Sequence, residues 1–287
     1  MNVLILGCGY TGIRLAAWLR QQCIPVNVTT RTGQSIPNLN VSVFAFQYGE
    51  VSYPLCPDAL DGITHVLTTI APDSQGIDPV AASLMPSLLP SGLQWFGYLS
   101  TTGVYGDTQG DWVDEASPLQ PTNLRSRHRV NIEATFLKSN LPTHIFRLPG
   151  IYGPGRSIFD RLRDGTAHHI QKPGHVFSRI HVDDIVQALW CSMKTPNPGS
   201  VYNVADDEPT EPSTLILEGA QLMGIAPPPA QAYEKVQLSP MAASFWNECR
   251  RVRNTKIKQK LGVNLIYPTY REGLRAIWAE EQANRNS

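Results

Sequence analysis

The sequence predicts an α/β fold, a doubly wound parallel sheet carrying a small C-terminal portion. Three observations predict it. Short apolar runs alternate with longer amphipathic stretches through the first half, the pattern of parallel strands joined by helical crossovers. The first run ends in a glycine-rich loop that opens a helical stretch. After about residue 150 the texture changes: Pro and Gly become frequent, as in "LPGIYGPG" and "GIAPPPAQA", and the helical stretches shorten. The expected organisation is a sheet domain over residues 1–150 and a C-terminal portion over 151–287, with some chain returning to the sheet core.

The elements follow in order. "NVLILG" (2–7) is a continuous apolar run ending in glycine, as a strand buried on both faces requires. "GIRLAAWLRQQ" (12–22) sets Ile13, Ala16, Ala17 and Arg20 at helical spacing, with Leu15 and Leu19 beside them. "VNVTT" (26–30), "HVLTTIA" (65–71) and "WFGYLS" (95–100) read as further strands. A helix carrying "TNLRSRHRVNIE" (122–133) precedes a strand at "THIFRL" (143–148). Asp183 and Asp184 stand at a helix start, where an aspartate is first a cap. "RRVRNTKIKQK" (250–260) reads as a solvated basic face, with Asn254 or Thr255 capping a helix that ends at Gly262.

Composition narrows the function classes. The chain has 287 residues, with 24 basic against 24 acidic side chains. That balance argues against nucleic acid or an anionic membrane as the main partner. Five scattered cysteines without a CxxC pair suggest reduced thiols, with no disulfide framework and no zinc site. The opening has no basic segment of a signal peptide, and no stretch reaches the roughly 18 apolar residues of a membrane helix. The expectation is a soluble, cytoplasmic protein.

"LILGCGYTG" gives Gly7-x-Gly9-x-x-Gly12 between a strand and a helix, the context in which the pattern signals a dinucleotide. Gly7 permits the tight turn, Gly9 admits the pyrophosphate, and Gly12 lets helix and strand pack closely. The first-turn N–H groups, those of Tyr10 and Thr11 among them, then face the phosphates. Residues 1–150 are therefore expected to form an NAD(P)-binding domain of the Rossmann type. An NAD site has an acidic residue at the end of the second strand, yet no acidic residue occurs between Gly12 and Glu50. Arg31 stands there instead, flanked by Thr30 and Thr32, and a guanidinium suits a 2′-phosphate. NADP is the expected cofactor, preferred over NAD; a solvated loop arginine is the competing reading of Arg31.

Further strings follow: "LSTTGVYGD" (99–107), "WVDEASPLQP" (112–121), "RLPGIYGPG" (147–155), "RIHVDDIVQAL" (179–189) and "YNVADDEP" (202–209). With the glycine loop, their order and spacing resemble the extended short-chain dehydrogenase/reductases, the epimerase/dehydratase branch, and within it the atypical members. The resemblance covers nearly the whole chain. It implies a Ser or Thr after the fifth strand, met here by Thr101, and a Tyr and Lys four residues apart on the next helix. Pro121 and Glu133 set the register and place Arg125 at the Tyr position and Arg129 at the Lys position. Residues 106–137 contain neither Tyr nor Lys, so no slip restores the pair.

The resemblance also implies roles. Arg129 would hold cofactor ribose or phosphate, and Ile70, Ala71, Leu148 and Pro149 would line the cofactor site. Arg125 cannot replace the phenol, because a guanidinium stays protonated at any working pH. His128 and Tyr152 are the candidates to move a proton, and helical spacing sets Arg125, His128 and Arg129 on one face. The competing reading makes that cluster solvated surface. Arg179 and His181 are expected near the substrate cleft, and no residue spacing suggests a metal. Three functions stay open: an NADP(H)-dependent oxidoreductase or epimerase/dehydratase acting on a polar, anionic metabolite such as a nucleotide sugar, a non-catalytic NADP(H)-binding sensor, and a scaffold that keeps the fold without binding cofactor. Monomer and homodimer are both open.

Overall fold

A computed structural model describes residues 1–285; residues 286 and 287, at the end of the expected C-terminal portion, lie outside it. In chain order the strands are β1 (Val3–Leu6), β2 (Val26–Thr30), β3 (Ser42–Ala45), β4 (His65–Thr68), β5 (Trp95–Thr101), β6 (Trp112–Val113) and β7 (Thr143–Leu148). There follow β8 (Gly150–Tyr152), β9 (Ile170–Gln171), β10 (Arg179–His181), β11 (Ser200–Asn203), β12 (Gln231–Ala232) and β13 (Arg251–Val252). Seven of them form one parallel sheet in the order β11-β7-β5-β4-β1-β2-β3. The order reverses between β1 and β4, and that is where an open α/β sheet leaves a crevice for a ligand. The fold is the doubly wound α/β class that the alternating pattern predicts.

The helices are α1 (Tyr10–Gln21), α2 (Met85–Leu88), α3 (Leu124–Lys138), α4 (Ile158–Arg163), α5 (Val182–Lys194), α6 (Pro212–Met223), α7 (Pro240–Trp246), α8 (Thr255–Leu261) and α9 (Tyr270–Arg285). On one face of the sheet, Leu15 and Leu19 of α1, Ile185 and Leu189 of α5, and Ile257 of α8 join one core. On the other, Val80 and Leu84 of a π-helical turn, Leu88 of α2, and Ile132 and Phe136 of α3 join a second. A third core, holding Tyr152, Phe159, Ile216 and Leu274, binds α4, α6 and α9 to one another. Helices past residue 150 are not uniformly short, as the proline content suggested: α5, α6 and α9 run 13, 12 and 16 residues, because their prolines fall in the connections and at first helical positions.

Two local expectations are corrected. His181, not an aspartate, is the N-cap of α5, its ring Nδ1 accepting the Asp183 N–H at 3.2 Å. Asp183 is engaged instead by Arg14 of α1 in a two-pronged pair at 2.5 and 3.0 Å. The basic run 250–260 is not simply a solvated face. Its first residues form β13 against β6, Val252 is buried, and Arg253 and Lys256 lie over the rings of Trp112 and Tyr202. Asn254 does stand at the N-cap of α8, but its amide donates to the Ala205 carbonyl and to Asp207. Gly262 ends that helix in the left-handed conformation, as expected.

Candidate functional site

Two clefts open along the carboxyl ends of the sheet strands. The first, about 680 Å³, is lined by Gly7, Gly9, Thr30, Arg31, Ile70 and Ala71, which brings six predicted cofactor residues together. Gly7 takes φ +83°, and a Cβ there would stand 2.6 Å from Ile70 Cγ1, so only glycine makes this turn. A Cβ on Gly12 would press the Gly7 carbonyl and Ile5 at 3.2–3.3 Å, whereas one on Gly9 would meet nothing within 4 Å. Gly9 thus leaves open space at the start of α1, as a pyrophosphate needs. Tyr10 and Thr11 form the first turn, which has no acidic side chain. The residues present fit a dinucleotide. Arg31 is exposed at the cleft wall and has no ion pair among the described residues.

The second cleft, about 400 Å³, is lined by Thr101, Leu148, Pro149 and Arg179 among the predicted residues. Thr101 ends β5 and caps the turn Thr102–Tyr105, its Oγ1 accepting the Gly103 N–H at 3.0 Å. Leu148 and Pro149 lie in this cleft, beyond the one that holds the glycine loop. Arg179 is 7% exposed; its Nη1 donates to the Phe177 and Thr210 carbonyls at 2.9 and 3.3 Å. Burial lowers its pKa to about 10, and Asp206 opposes that shift.

The basic cluster on α3 divides. Arg125 is exposed, its guanidinium 5.0 Å from the ring centroid of Phe245, a wall of the second cleft. Arg127 points elsewhere and reaches back to the Thr122 carbonyl at 3.4 Å. His128 lies against Gly76, where a Cβ would come 2.8 Å from the imidazole. Arg129 turns inward and donates to the Leu99 carbonyl at 2.7 Å and the Tyr98 hydroxyl at 2.9 Å. His128 and Arg129 line neither cleft.

Tyr152 and His181 also lie behind the walls. Tyr152 belongs to the third core, with its hydroxyl 3.5 Å from the Thr269 carbonyl, and burial raises its pKa. His181 packs edge-on to Tyr152 with centroids 5.2 Å apart, and burial lowers its pKa to about 4.

Sequence reasoning missed Phe245, on α7, and Glu248, just after it, which line the second cleft; Arg250, first of the basic run, lines it too. Glu248 accepts hydrogen bonds from Thr122 Oγ1 and, at 3.0 Å, from Asn123 Nδ2, at the N-terminus of α3. Arg250 pairs with Glu248 at 2.7 Å and donates to the Gly106 carbonyl at 2.5 Å. Glu248 is the single carboxylate lining this cleft among the described residues. No motif marks it. Arg156 was missed too, although "GPGR" continues a string already singled out.

Under Thr101 lies a buried charged network. Arg147 Nη2 meets Glu133 Oε2 at 2.7 Å, Ser100 donates to Glu133 Oε1 at 2.5 Å, and the Tyr105 hydroxyl bridges Arg147 and Asn203 at 2.9 and 2.7 Å. It ties α3, β5, β7 and β11 beneath the cleft. Among the described residues no three His, Cys, Asp or Glu side chains gather as metal ligands, and no helix is long and apolar enough to cross a membrane.

The chain is 46% identical to a functionally unknown conserved protein from Silicibacter pomeroyi, across 98% of this chain and 99% of that one, with a TM-score of 0.88. Residues 80–205 match the NAD dependent epimerase/dehydratase family. That stretch, Val80 to Ala205, carries the family's pattern. Proteins of that family bind a nicotinamide cofactor. The chain is also similar to Protein YeeZ of Escherichia coli strain K12, at 26% identity over 79% of this chain and 85% of that one. In fold the chain superposes on MoeE5 in complex with UDP-glucuronic acid and NAD, at a TM-score of 0.78, 19% identity and coverage of 99% and 100%.

Proposed function

We propose that the chain is an NADP(H)-dependent oxidoreductase or epimerase/dehydratase acting on a polar, anionic metabolite, for which a nucleotide sugar is the first class to test. The observation that carries the cofactor preference is Arg31, an exposed guanidinium with no ion pair among the described residues, on the wall of the glycine-loop cleft, at the position where an NAD site places a carboxylate. A bound nicotinamide cofactor gives or accepts a hydride. The chain's own residues do the rest. The first turn of α1 faces phosphate, and Arg31 faces the 2′-phosphate. Thr101 Oγ1, fixed by its bond to the Gly103 N–H, polarises the reacting oxygen. Arg125 meets substrate beside Phe245, while Arg129, which lines neither cleft, holds β5 behind Thr101.

MoeE5 was solved with UDP-glucuronic acid and with UDP-glucose, which makes those two compounds the first substrates to try. A second reading, a non-catalytic NADP(H)-binding sensor, is favoured by the arginines at 125 and 129 and by a cleft whose single carboxylate is already held by Arg250.

Fluorescence titration with NADPH and NADH tests the cofactor. Tighter binding of NADPH, lost in Arg31→Asp, is the expected result; equal binding of the two removes the 2′-phosphate site. Turnover abolished in Thr101→Ala selects the enzyme. Cofactor-dependent association with another protein, without turnover, selects the sensor.

A further inference from the structure

We propose that Arg156 is a cofactor ligand contributed from beyond β8, its guanidinium closing over the pyrophosphate that the first turn of α1 receives. This rests on the reading that the glycine loop holds a dinucleotide.

The placement is specific. Tyr10 is the first residue of α1, directly after Gly9. The Arg156 guanidinium lies 5.6 Å from the centroid of the Tyr10 ring, and the Tyr10 hydroxyl donates to the Pro154 carbonyl at 3.0 Å. Residues 153–156 form a closed turn, with backbone bonds in both directions between Gly153 and Arg156 at 3.0 and 3.2 Å. Gly153 has φ +157°, and a Cβ there would stand 2.5 Å from the Tyr10 hydroxyl. The turn is therefore seated on Tyr10 at the start of α1 and delivers one side chain there.

Charge says what that side chain meets. Arg14 is bound by Asp183, Arg250 by Glu248, and Arg179 is buried on two carbonyls. Arg156 is exposed, has no ion pair among the described residues, and lines the cleft that contains Thr101. It packs over the ring of Tyr10, the first residue of α1, so two positive features stand near one another, with no acidic side chain in the first turn between them. A diphosphate between them satisfies both, and the planar fork of arginine suits its oxygens. The substrate's own anion is the competing ligand, and it would leave cofactor affinity untouched.

The experiment is titration of the wild type, Arg156→Gln and Arg31→Asp with NADPH and with NADH. The proposal expects Arg156→Gln to weaken both dinucleotides by the same factor, on the order of tenfold or more, with the NADPH/NADH ratio unchanged. Arg31→Asp should weaken NADPH alone. An unchanged melting temperature for cofactor-free Arg156→Gln shows that the exposed substitution has not disturbed the fold. Affinities within twofold of wild type for both dinucleotides overturn the proposal and transfer Arg156 to the substrate. A wild type without NADPH preference, but with the Arg156→Gln loss intact, overturns only the NADP(H) reading. A wild type that binds neither dinucleotide overturns both.

Discussion

Arg129 Nη1 donates to the Leu99 carbonyl of β5 at 2.7 Å and to the Tyr98 hydroxyl at 2.9 Å, with the guanidinium carbon 5.4 Å from the Tyr98 ring centroid. Arg129 thus holds the strand that ends in Thr101. Arg129→Met leaves a strand carbonyl and a buried phenol without this donor. The expected loss is about 1–3 kcal/mol in urea unfolding. Arg129→Lys should recover part of it, because an ammonium reaches one acceptor but lacks the planar fork. A loss below about 0.5 kcal/mol in Arg129→Met would show that these bonds contribute little.

Glu133 and Arg147 are 2% and 4% exposed, and the pair is strengthened by Ser100 and Tyr105. Removing one partner strands a charge where water cannot reach it. Glu133→Gln and Arg147→Met should each destabilise by about 3–5 kcal/mol in chemical denaturation. The double variant should fall well short of the sum, since the second substitution removes the stranded charge. Additive losses would show that the two groups act separately.

His144 lies fully buried against Trp95, with centroids 5.6 Å apart, and its Nε2 accepts the Asn197 N–H at 2.9 Å. Burial lowers its pKa from 6.5 to about 4. The native state therefore binds fewer protons than the unfolded chain between those values. The stability tied to neutral His144 is complete above pH 6.5 and is lost as pH falls toward 4. By pH 5 the loss is roughly 2 kcal/mol. His175 and His181, also held near 4 by burial, act in the same direction, while Asp184, raised to about 6, opposes them. Unfolding at pH 7 and pH 5 should show a smaller difference in His144→Gln than in wild type. An identical difference would mean that His144 is already protonated, or equally protonated in both states.

What could be read from the sequence follows how far apart the cooperating residues lie. β1, β2, β5 and β7 show as apolar runs because both faces of each are covered. The glycine loop shows because three steric demands fall within six residues. β6 and β13 are two residues each, too short for any periodicity, and they find one another across the chain. Glu248 reaches Asn123, and Tyr10 reaches Pro154, across more than a hundred residues. Helical spacing placed Arg125 and Arg129 on one side of α3, but could not say that one would meet Phe245 and the other Leu99. Asp183 lies inside α5 and is engaged by Arg14 of a different helix, a contact no local spacing shows.

The seventh strand of the sheet arrives late, and that has a consequence for synthesis. β7 pairs on one side with β5, already made, and on the other with β11, whose first residue is Ser200. At ribosomal rates of roughly 5–20 residues per second, the interval from Leu148 to Ser200 lasts on the order of 3–10 seconds. Throughout it, one row of β7 amide and carbonyl groups faces outward beside an apolar strand, a template for pairing with another nascent chain. A chain released before β11 would carry that template permanently, so aggregation of prematurely terminated products is built into the strand order.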